Sequence, residues 1–221
     1  MLKIFKNLPV VPVIKKLFKN TRLIPAQTVL PKQDAPISVI MANTKPIVWI
    51  DMEMTGLDVK KDRIIEIACL VTDHELNVIA EGPNVIINQP DSLLLHMNSW
   101  CMKTHTESGL LKASQESKIT EEQAEDMVLT FIQQYTKRNE APLAGNTIYM
   151  DRFFLIEQMP KIHNYLHYRI IDVSTIKELC QRWNPEMHKN APPKKLVHRA
   201  LDDILESIIE LKYYKEYLFI D

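Results

Sequence analysis

The sequence predicts an α/β fold in which helices flank one mixed sheet of five strands. Two observations predict it. Apolar runs rich in β-branched residues occupy much of residues 47–88, and two later apolar runs each lead into a segment of helical periodicity. Adjacent strands with short turns favour an antiparallel meander, whereas strands followed by helices favour a mixed sheet with helices packed on it. With 221 residues, 46% of them apolar, the chain can bury one good hydrophobic core.

The meander accounts for the first three strands. Residues 47–51 form a short apolar run that ends in an acid, and residues 63–72 form a second run rich in β-branched residues. A third run covers residues 76–80 and 85–88, with Gly82 and Pro83 between its halves. We therefore expect three neighbouring strands joined by short turns.

Helical periods follow the meander. They predict helices over residues 93–104, over 120–137 with three glutamates near its start, and over 151–159, where a proline follows. Residues 142–145 and 168–173 are predicted as two buried strands that each lead into a helix. A last helix carries one apolar face with spacings of three and four residues, formed by Leu201, Ile204, Leu205, Ile208 and Leu211.

Charge divides the chain into two parts. The 27 Lys+Arg and 28 Asp+Glu give a net charge of −1, but residues 1–43 hold seven basic residues and one acid. That segment carries +6, and residues 44–221 therefore carry −7. The sequence predicts a basic leader over 1–43 and a folded domain over 44–221. The overall balance excludes a strongly basic protein that binds polyanions along its whole surface.

The leader has the character of an import signal. Its first twenty residues alternate apolar residues with lysines and contain no acid, which is typical of a mitochondrial presequence. A basic tail without a partner is the alternative. Translation from Met41 would omit the leader and give a cytoplasmic or nuclear form. No apolar run reaches the length of a membrane span, so we expect no membrane association, and three irregularly spaced cysteines predict no disulfide framework.

Acidic residues stand where the predicted strands and helices meet. Asp51 and Glu53 lie two residues apart at the end of the first strand, so both side chains project from the same face. Their surroundings are apolar, and two unpaired carboxylates there would be costly to bury without a cation. A solvated strand end is an equally good explanation of this pair alone.

Further residues in two later segments extend the pattern. Asp151 lies at the predicted start of a helix, and His198 precedes the doublet of Asp202 and Asp203 at the start of the last one. Each taken singly is explained as a helix cap or as a partner of the helix dipole. Together with Asp51 and Glu53 they supply the ligands of a two-metal phosphodiester site, where oxygen donors favour Mg²⁺ or Mn²⁺.

Three segments in this order carry a family resemblance: residues 51–58 (DMEMTGLD), 145–152 (GNTIYMDR) and 198–203 (HRALDD). They resemble the three motifs of the DEDDh 3′→5′ exonucleases and, within them, the oligoribonuclease family. Further matching stretches are residues 62–68, 76–83, 104–110 and 167–179, so that the resemblance covers residues 46–217. It implies a ribonuclease H-like exonuclease fold.

The resemblance also implies roles for individual residues. Two divalent ions, Mg²⁺ or Mn²⁺, would be held by four acids, namely Asp51, Glu53, Asp151 and Asp203. His198 would serve as the general base. Asp202 would not be a ligand. An imidazole with a pKa near 6.5 suits the role of base, because it is largely neutral at pH 7. The product would be a 5′-mononucleotide released from the 3′ end of short RNA, dinucleotides included.

Substrate binding is implied at seven further positions. Leu57 and Trp100 would wedge and stack the bases, and His105 would help to hold the substrate. A 5′-phosphate would be capped by Thr147, Arg169 and Ser174. Tyr168 would reach across a homodimer interface into the neighbouring site. Judged without the resemblance, the two apolar residues would be core, Arg169 a surface ion pair and Tyr168 a strand aromatic.

The charge of the predicted domain bears on substrate length. A protein that tracks a long nucleic acid normally offers a basic groove, whereas residues 44–221 sum to −7. We therefore expect a short oligoribonucleotide as substrate. The alternatives are an exonuclease that trims longer RNA or DNA 3′ ends, and a catalytically idle RNA-binding module.

Overall fold

A computed structural model describes residues 44–195 and 198–219, so that the predicted leader lies outside the described residues. The sheet has five strands: β1 (Ile47–Met54), β2 (Ile64–Thr72), β3 (Val78–Ile86), β4 (Leu143–Gly145) and β5 (Ile170–Asp172). Their spatial order is β3-β2-β1-β4-β5. The first three pair antiparallel, and β1 pairs parallel with β4 as β4 does with β5. The predicted mixed sheet with an antiparallel meander is confirmed.

The third strand differs from its prediction, because it runs unbroken through Gly82 and Pro83. Its register with β2 passes from Asn84 to Glu81 and skips both residues, so the strand bulges at this point. β3 is an edge strand, where the missing N–H of a proline costs little. A Cβ on Gly82 would lie 2.4 Å from the ring of Phe131, which explains why glycine is needed here.

Nine helices are present in the described residues: α1 (Asp91–Leu94), α2 (Ser99–Glu107), α3 (Leu110–Glu116), α4 (Glu121–Tyr135), α5 (Ile148–Gln158), α6 (Pro160–Tyr165), α7 (Val173–Trp183), α8 (Pro185–Lys189) and α9 (Ala200–Leu218). None of them is long and apolar enough to cross a bilayer. The predicted single helix over 93–104 is wrong, because residues 95–98 are not helical and separate α1 from α2. The Asn98 side chain caps α2 by accepting hydrogen bonds from the backbone N–H groups of Trp100 and Cys101.

Two boundaries shift near the predicted strand-to-helix turn at residue 145. α5 begins at Ile148, three residues before the predicted start, so Asp151 lies inside the first turn and does not cap the helix. Pro160 ends α5 as predicted but also opens α6, where the first helical position tolerates proline. β5 is an edge strand with an exposed Ile170, so its prediction as a buried strand is wrong.

The core lies on both faces of the sheet. On one face Val48, Ile50 and Ile67 pack with residues of α4 and α5. On the other face Trp49 and Leu70 pack with residues of α7 and α9. β2 is buried along its whole length, as expected for a strand covered on both sides. This layering brings α5 and α9 against β1 from opposite faces.

Candidate active site

A cleft of about 600 Å³ lies at the end of β1, between the start of α5, the start of α9 and the α2 segment. Nine of the twelve predicted site residues line it: Asp51, Glu53, Leu57, Trp100, His105, Thr147, Asp151, His198 and Asp203. We call Asp51, Glu53, Asp151, His198 and Asp203 the acidic end. The cleft thus gathers residues from four separate stretches of chain.

Asp51 and Glu53 share one face of β1, opposite Ala68 and Glu66 of β2. Burial is the main reason that the pKa of Asp51 is raised well above its usual value, and repulsion from Asp151, Glu53 and Asp203 adds to it. Burial also raises the pKa of Glu53 to about 8, with Asp203 as the largest charged contributor. The two carboxylates therefore need a counter-charge to be ionised at neutral pH.

Asp151 reaches β1 from the opposite face. β4 pairs with β1 only at Val48 and Trp49, so farther along β1 that edge is not paired with β4. Asp151 Oδ1 accepts a hydrogen bond from the N–H of Met52 at 3.1 Å. Burial raises the pKa of Asp151 to about 8, although this hydrogen bond acts in the opposite direction. The side chain is thus fixed against the strand that carries the first acid pair.

His198 and Asp203 complete the acidic end. Asp203 lies in the first turn of α9, where its N–H donates to the carbonyl of Arg199 at 3.0 Å. His198 has a φ of 54°, a left-handed conformation that is uncommon outside glycine. Ligand atoms of Glu53, His198 and Asp203 all lie within 4.8 Å of one another. Burial raises the pKa of Asp203, and His198 partly offsets that effect.

This donor set fits divalent cations. Four buried or half-buried carboxylates with raised pKa values repel one another, and oxygen donors of this kind are what hard divalent cations prefer. Asp202, the other acid of the doublet, is exposed and does not line the cleft. Of the two acids in the doublet, only Asp203 lines the cleft in the structure.

A buried ion pair supports the acidic end and was not predicted. Glu66 is fully buried in β2, and its Oε1 accepts from Nη2 of Arg199 at 2.8 Å while its Oε2 accepts from Nε at 3.1 Å. Arg199 immediately follows His198, so the pair anchors the start of α9 to the sheet. A single acid in an otherwise apolar strand is the feature of the sequence that would have revealed it.

The side wall of the cleft comes from Leu57, Trp100 and His105. Trp100 is 58% exposed and Leu57 68% exposed, so their interpretation as core residues is excluded. The Trp100 ring meets the His198 ring edge-on, with centroids 5.4 Å apart. His105 is buried, and its Nε2 contacts the carbonyl of Met54 at 2.9 Å. The wall therefore offers apolar surface beside the acidic end.

Thr147 and Ser174 meet at the start of α5, and we call this second part of the site the hydroxyl end. The Thr147 N–H donates to Ser174 Oγ at 2.9 Å, and the two hydroxyl oxygens lie 3.1 Å apart. The backbone N–H groups of Thr147 and Ser174 also donate to Asp172 Oδ1, at 3.0 and 2.9 Å respectively. Thr147 has a φ of 55°, so both the acidic end and the hydroxyl end carry a left-handed residue. Ser174 adjoins Thr147 but does not itself line the cleft.

Tyr168 and Arg169 lie outside the cleft of this chain. Tyr168 is 73% exposed and stacks on His167 with centroids 4.5 Å apart. The Arg169 guanidinium lies 5.0 Å from the centre of the Tyr168 ring. The structure therefore does not bring these two predicted residues to the cleft.

Other lining residues were missed by sequence reasoning. Asn146 and Tyr149 lie in the 145–152 motif but were given no role, whereas Asn98, Lys194 and Ser207 lie outside the three motifs. Lys194 stands beside a second lysine and after two prolines, a composition that does not distinguish a cleft residue from a surface loop. Only the fold shows that it faces the acids.

Comparison with known proteins places the chain in a family. Residues 48–211 match the RNase_T family model, described as Exonuclease. The mitochondrial oligoribonuclease of Homo sapiens is 57% identical over 173 residues, which is 78% of this chain and 73% of that protein. This chain belongs to the oligoribonuclease family. The oligoribonuclease of Haemophilus ducreyi is 50% identical over 77% of this chain and 93% of its own length. The predicted family resemblance is confirmed.

Solved exonuclease I structures share the fold. E. coli exonuclease I in complex with an oligonucleotide has a TM-score of 0.60 and 16% identity, over 78% of this chain and 41% of that chain. Exonuclease I from Methylocaldum szegediense has a TM-score of 0.57 and 18% identity, over 78% and 40%. This chain spans about two fifths of those proteins. The ribonuclease H-like fold is confirmed.

Proposed function

We propose that this protein is a 3′→5′ exoribonuclease that hydrolyses short oligoribonucleotides, dinucleotides included, to 5′-mononucleotides. One observation carries the proposal. The four acids and the histidine of the three motifs meet at one end of a single cleft, and burial raises the pKa of all four acids. Membership of the oligoribonuclease family supports the same activity.

The acids would hold two divalent cations, Mg²⁺ or Mn²⁺. Such ions, when bound, supply an activated water and stabilise the charge on the leaving oxygen. Asp51 and Glu53 offer oxygens from β1, Asp151 from α5 and Asp203 from α9. The hydrogen bond from Met52 N–H fixes one oxygen of Asp151 and leaves the other available.

His198 would act as the general base at the attacking water. Its ring contacts the Trp100 ring in a T-shaped arrangement, and one of its nitrogens lies within 4.8 Å of carboxylate oxygens of Glu53 and Asp203. The backbone next to it is tied to β2 by the ion pair of Arg199 with Glu66. A base that is oriented in this way can take a proton without first losing conformational freedom.

The hydroxyl end would select a short substrate. Thr147 and Ser174 would cap a 5′-phosphate together with Arg169, while the bases stack on Trp100 and Leu57. A terminal phosphate carries more charge and more free oxygens than an internal phosphodiester, so charge-assisted hydrogen bonds favour it. His105 would help to hold the substrate from the side wall. Such a cap prefers substrates whose 5′ end lies close to the cleaved bond.

The protein would act as a homodimer in which Tyr168 enters the partner's site. In the part of the chain that the structure describes, the two most exposed aromatic residues are Tyr168, shortly before β5, and Trp183, at the end of α7. On α5, Tyr149, Phe153 and Ile156 present a further half-exposed apolar stripe. Exposed apolar side chains of this density mark an association surface. A second copy would cover them and complete the site.

The basic leader would direct the protein to mitochondria. This proposal rests on its acid-poor, lysine-rich composition and on the names of the mammalian relatives, which are mitochondrial oligoribonucleases. A form that starts at Met41 would stay in the cytoplasm or nucleus. Imaging of fluorescent fusions to residues 1–43 and to a chain that starts at Met41 tests both statements.

Hydrolysis of a 5′-phosphorylated dinucleotide tests the activity. We expect mononucleotide release with Mg²⁺ or Mn²⁺, none with a chelator, and a loss of about 10²- to 10⁴-fold in His198→Ala. Equal rates for the variant and the unchanged protein would contradict the assignment of the base.

A further inference from the structure

One cation lines the cleft, among the described residues, that the three motifs do not explain. Lys194 is the only lysine or arginine in that lining, and its side chain is 22% exposed. Its charge lowers the otherwise raised pKa values of both Asp51 and Asp203, so the ammonium lies near two acids of the acidic end. A lysine in this position faces the space in which a phosphodiester would lie.

Lys194 is held by a buried carboxylate. Its Nζ lies 3.1 Å from Oε2 of Glu210, which is 3% exposed on α9. Glu210 has further partners: Lys177 Nζ at 3.7 Å, and hydrogen bonds from Tyr214 Oη and Asn146 Nδ2 at 3.2 Å each. An ammonium carries three donors, and within the described part of the chain Glu210 is its one ion-pair partner. The remaining donors are available to a ligand.

The same carboxylate is connected to both the acidic end and the hydroxyl end. Asn146 donates to Ser207 Oγ at 2.7 Å as well as to Glu210, and Ser207 in turn donates to the Asp203 carbonyl at 2.7 Å. On its other side Asn146 Oδ1 accepts from Ser174 Oγ at 3.0 Å. A continuous hydrogen-bonded chain therefore joins the backbone of Asp203 to the hydroxyl end.

We propose that Lys194 binds the phosphodiester of the substrate. Glu210 is then the positioning residue: it orients Lys194 and connects it through Asn146 to the hydroxyl end. This proposal rests on the activity proposed above. Lys194 and Ser174 are joined through Glu210 and Asn146, so one hydrogen-bonded network holds both the ammonium and the hydroxyl end. A cation at this point also offsets the repulsion between the substrate and the acids.

Kinetics of charge-removing variants test the proposal. With Mg²⁺ and a 5′-phosphorylated dinucleotide, we expect Lys194→Met to lower kcat/KM by about 10- to 100-fold, the usual range for a lost charged hydrogen bond. Lys194→Arg should recover most of that loss. Lys189→Met is the matched control, because Lys189 pairs with Glu186 at 2.8 Å on the exposed surface of α8. We expect it to be unchanged within about twofold.

A double variant separates substrate binding from a purely structural ion pair. If Lys194 only neutralised Glu210, Lys194→Met combined with Glu210→Gln would regain activity, because no buried charge would be left unpaired. If Lys194 binds phosphate, the double variant stays as slow as Lys194→Met, which is the result we expect. Recovery of the double variant, or a Lys194→Met enzyme equal to Lys189→Met, would overturn the proposal.

Glu210→Gln alone reports on positioning. The substitution keeps the size of the side chain. We expect the rise in KM to be about 10-fold larger for the 5′-phosphorylated dinucleotide than for its 5′-hydroxyl counterpart. An equal change for both substrates would contradict the coupling. Calorimetric binding of a phosphorothioate dinucleotide keeps the two proposals distinguishable. If the unchanged protein binds this analogue but does not hydrolyse the 5′-phosphorylated dinucleotide, the proposed activity alone is contradicted. If Lys194→Met binds the analogue as tightly as the unchanged protein does, the phosphate contact is contradicted.

Discussion

The acidic end of the cleft and its exposed margin are built in different ways. By exposed margin we mean the exposed cleft residues Leu57 and Trp100 together with Tyr168 and Arg169, which lie outside the cleft of this chain. At the acidic end, every residue lies on the sheet or at the start of a helix packed on it, and the Asp151 side chain is also hydrogen-bonded to the strand. At the margin the aromatic rings are more than half exposed, and Tyr168 and Arg169 contact mainly each other and His167. The proposed metal-binding residues and the proposed base therefore come from one chain, whereas the margin offers surface that a substrate or a second copy would cover.

The largest effect is expected from the acid doublet at the acidic end. Asp203→Asn should lower kcat by about 10³-fold or more, because it removes a charged ligand beside the attacked phosphate. Asp202→Asn is the matched control, since its side chain is exposed and outside the cleft. Steady-state hydrolysis of a 5′-phosphorylated dinucleotide measures both. Equal losses in the two variants would show that the cleft does not distinguish these acids.

A smaller effect is expected where the margin depends on a second copy. Tyr168→Ala should slow hydrolysis by about 10- to 100-fold, the worth of one stacked aromatic contact. Mixing and reassembling Tyr168→Ala with inactive His198→Ala should restore about a quarter of the activity, because half of the dimers would then carry one complete site. Absence of any recovery on mixing, with dimers present, would contradict a contribution across the interface.

The association surface itself can be broken. Trp183→Glu places a charge on a side chain that is 71% exposed at the end of α7, and we expect a shift from dimer to monomer in analytical ultracentrifugation. Val78→Glu is a suitable control, because Val78 is also exposed but lies on β3, at the opposite edge of the sheet from β5. Equal sedimentation of both variants would place the interface elsewhere.

The smallest effect is a pH dependence of stability that comes from the acidic end. Glu53 and Asp151 have pKa values of about 8 in the folded chain and near 4 when unfolded. Between these values the folded state holds protons that the unfolded state has lost, so with chelator present Tm should fall as pH rises from 5 to 8. Mg²⁺ should raise Tm more at pH 8 than at pH 6, because protons compete with the ion.

Scanning fluorimetry checks this pH dependence, and one substitution isolates its source. Asp151→Asn cannot ionise, so it should flatten the fall of Tm with pH and weaken the response to Mg²⁺. A Tm that rises with pH in chelator would contradict the assignment of these two groups as buried carboxyls whose pKa values are raised on folding.

The strands and the acids that end them could be predicted from sequence because their determinants are local. A β-branched run predicts β2, and a spacing of two residues puts Asp51 and Glu53 on one face. The short helices α3, α6 and α8 were not predicted, since five to seven residues carry too little periodicity. The pairing of Glu66 with Arg199 spans 133 positions and became visible only in the fold.

The residues of the cleft show the same limit of prediction from sequence: contacts between distant segments become visible only in the fold. The proposed catalytic residues lie in recognisable motifs, whereas the contacts that join Lys194 and Asn146 to Glu210 link segments that are distant in sequence. A buried Glu210 on α9 resembles any charged residue of an amphipathic helix until its partners are known. Chemistry could thus be predicted from residue types, but the positioning network could not.

Substrate length tests the central claim most directly, because the acidic end and the hydroxyl end together would admit only a short strand. The measurement is kcat/KM with Mg²⁺ for a series of 5′-phosphorylated RNAs from two to about twenty nucleotides, a range that exceeds a single binding site of several nucleotides. We expect the dinucleotide to be hydrolysed fastest and the rate to fall steadily with length. A rate that rises with length would contradict the account and favour an enzyme that trims long 3′ ends.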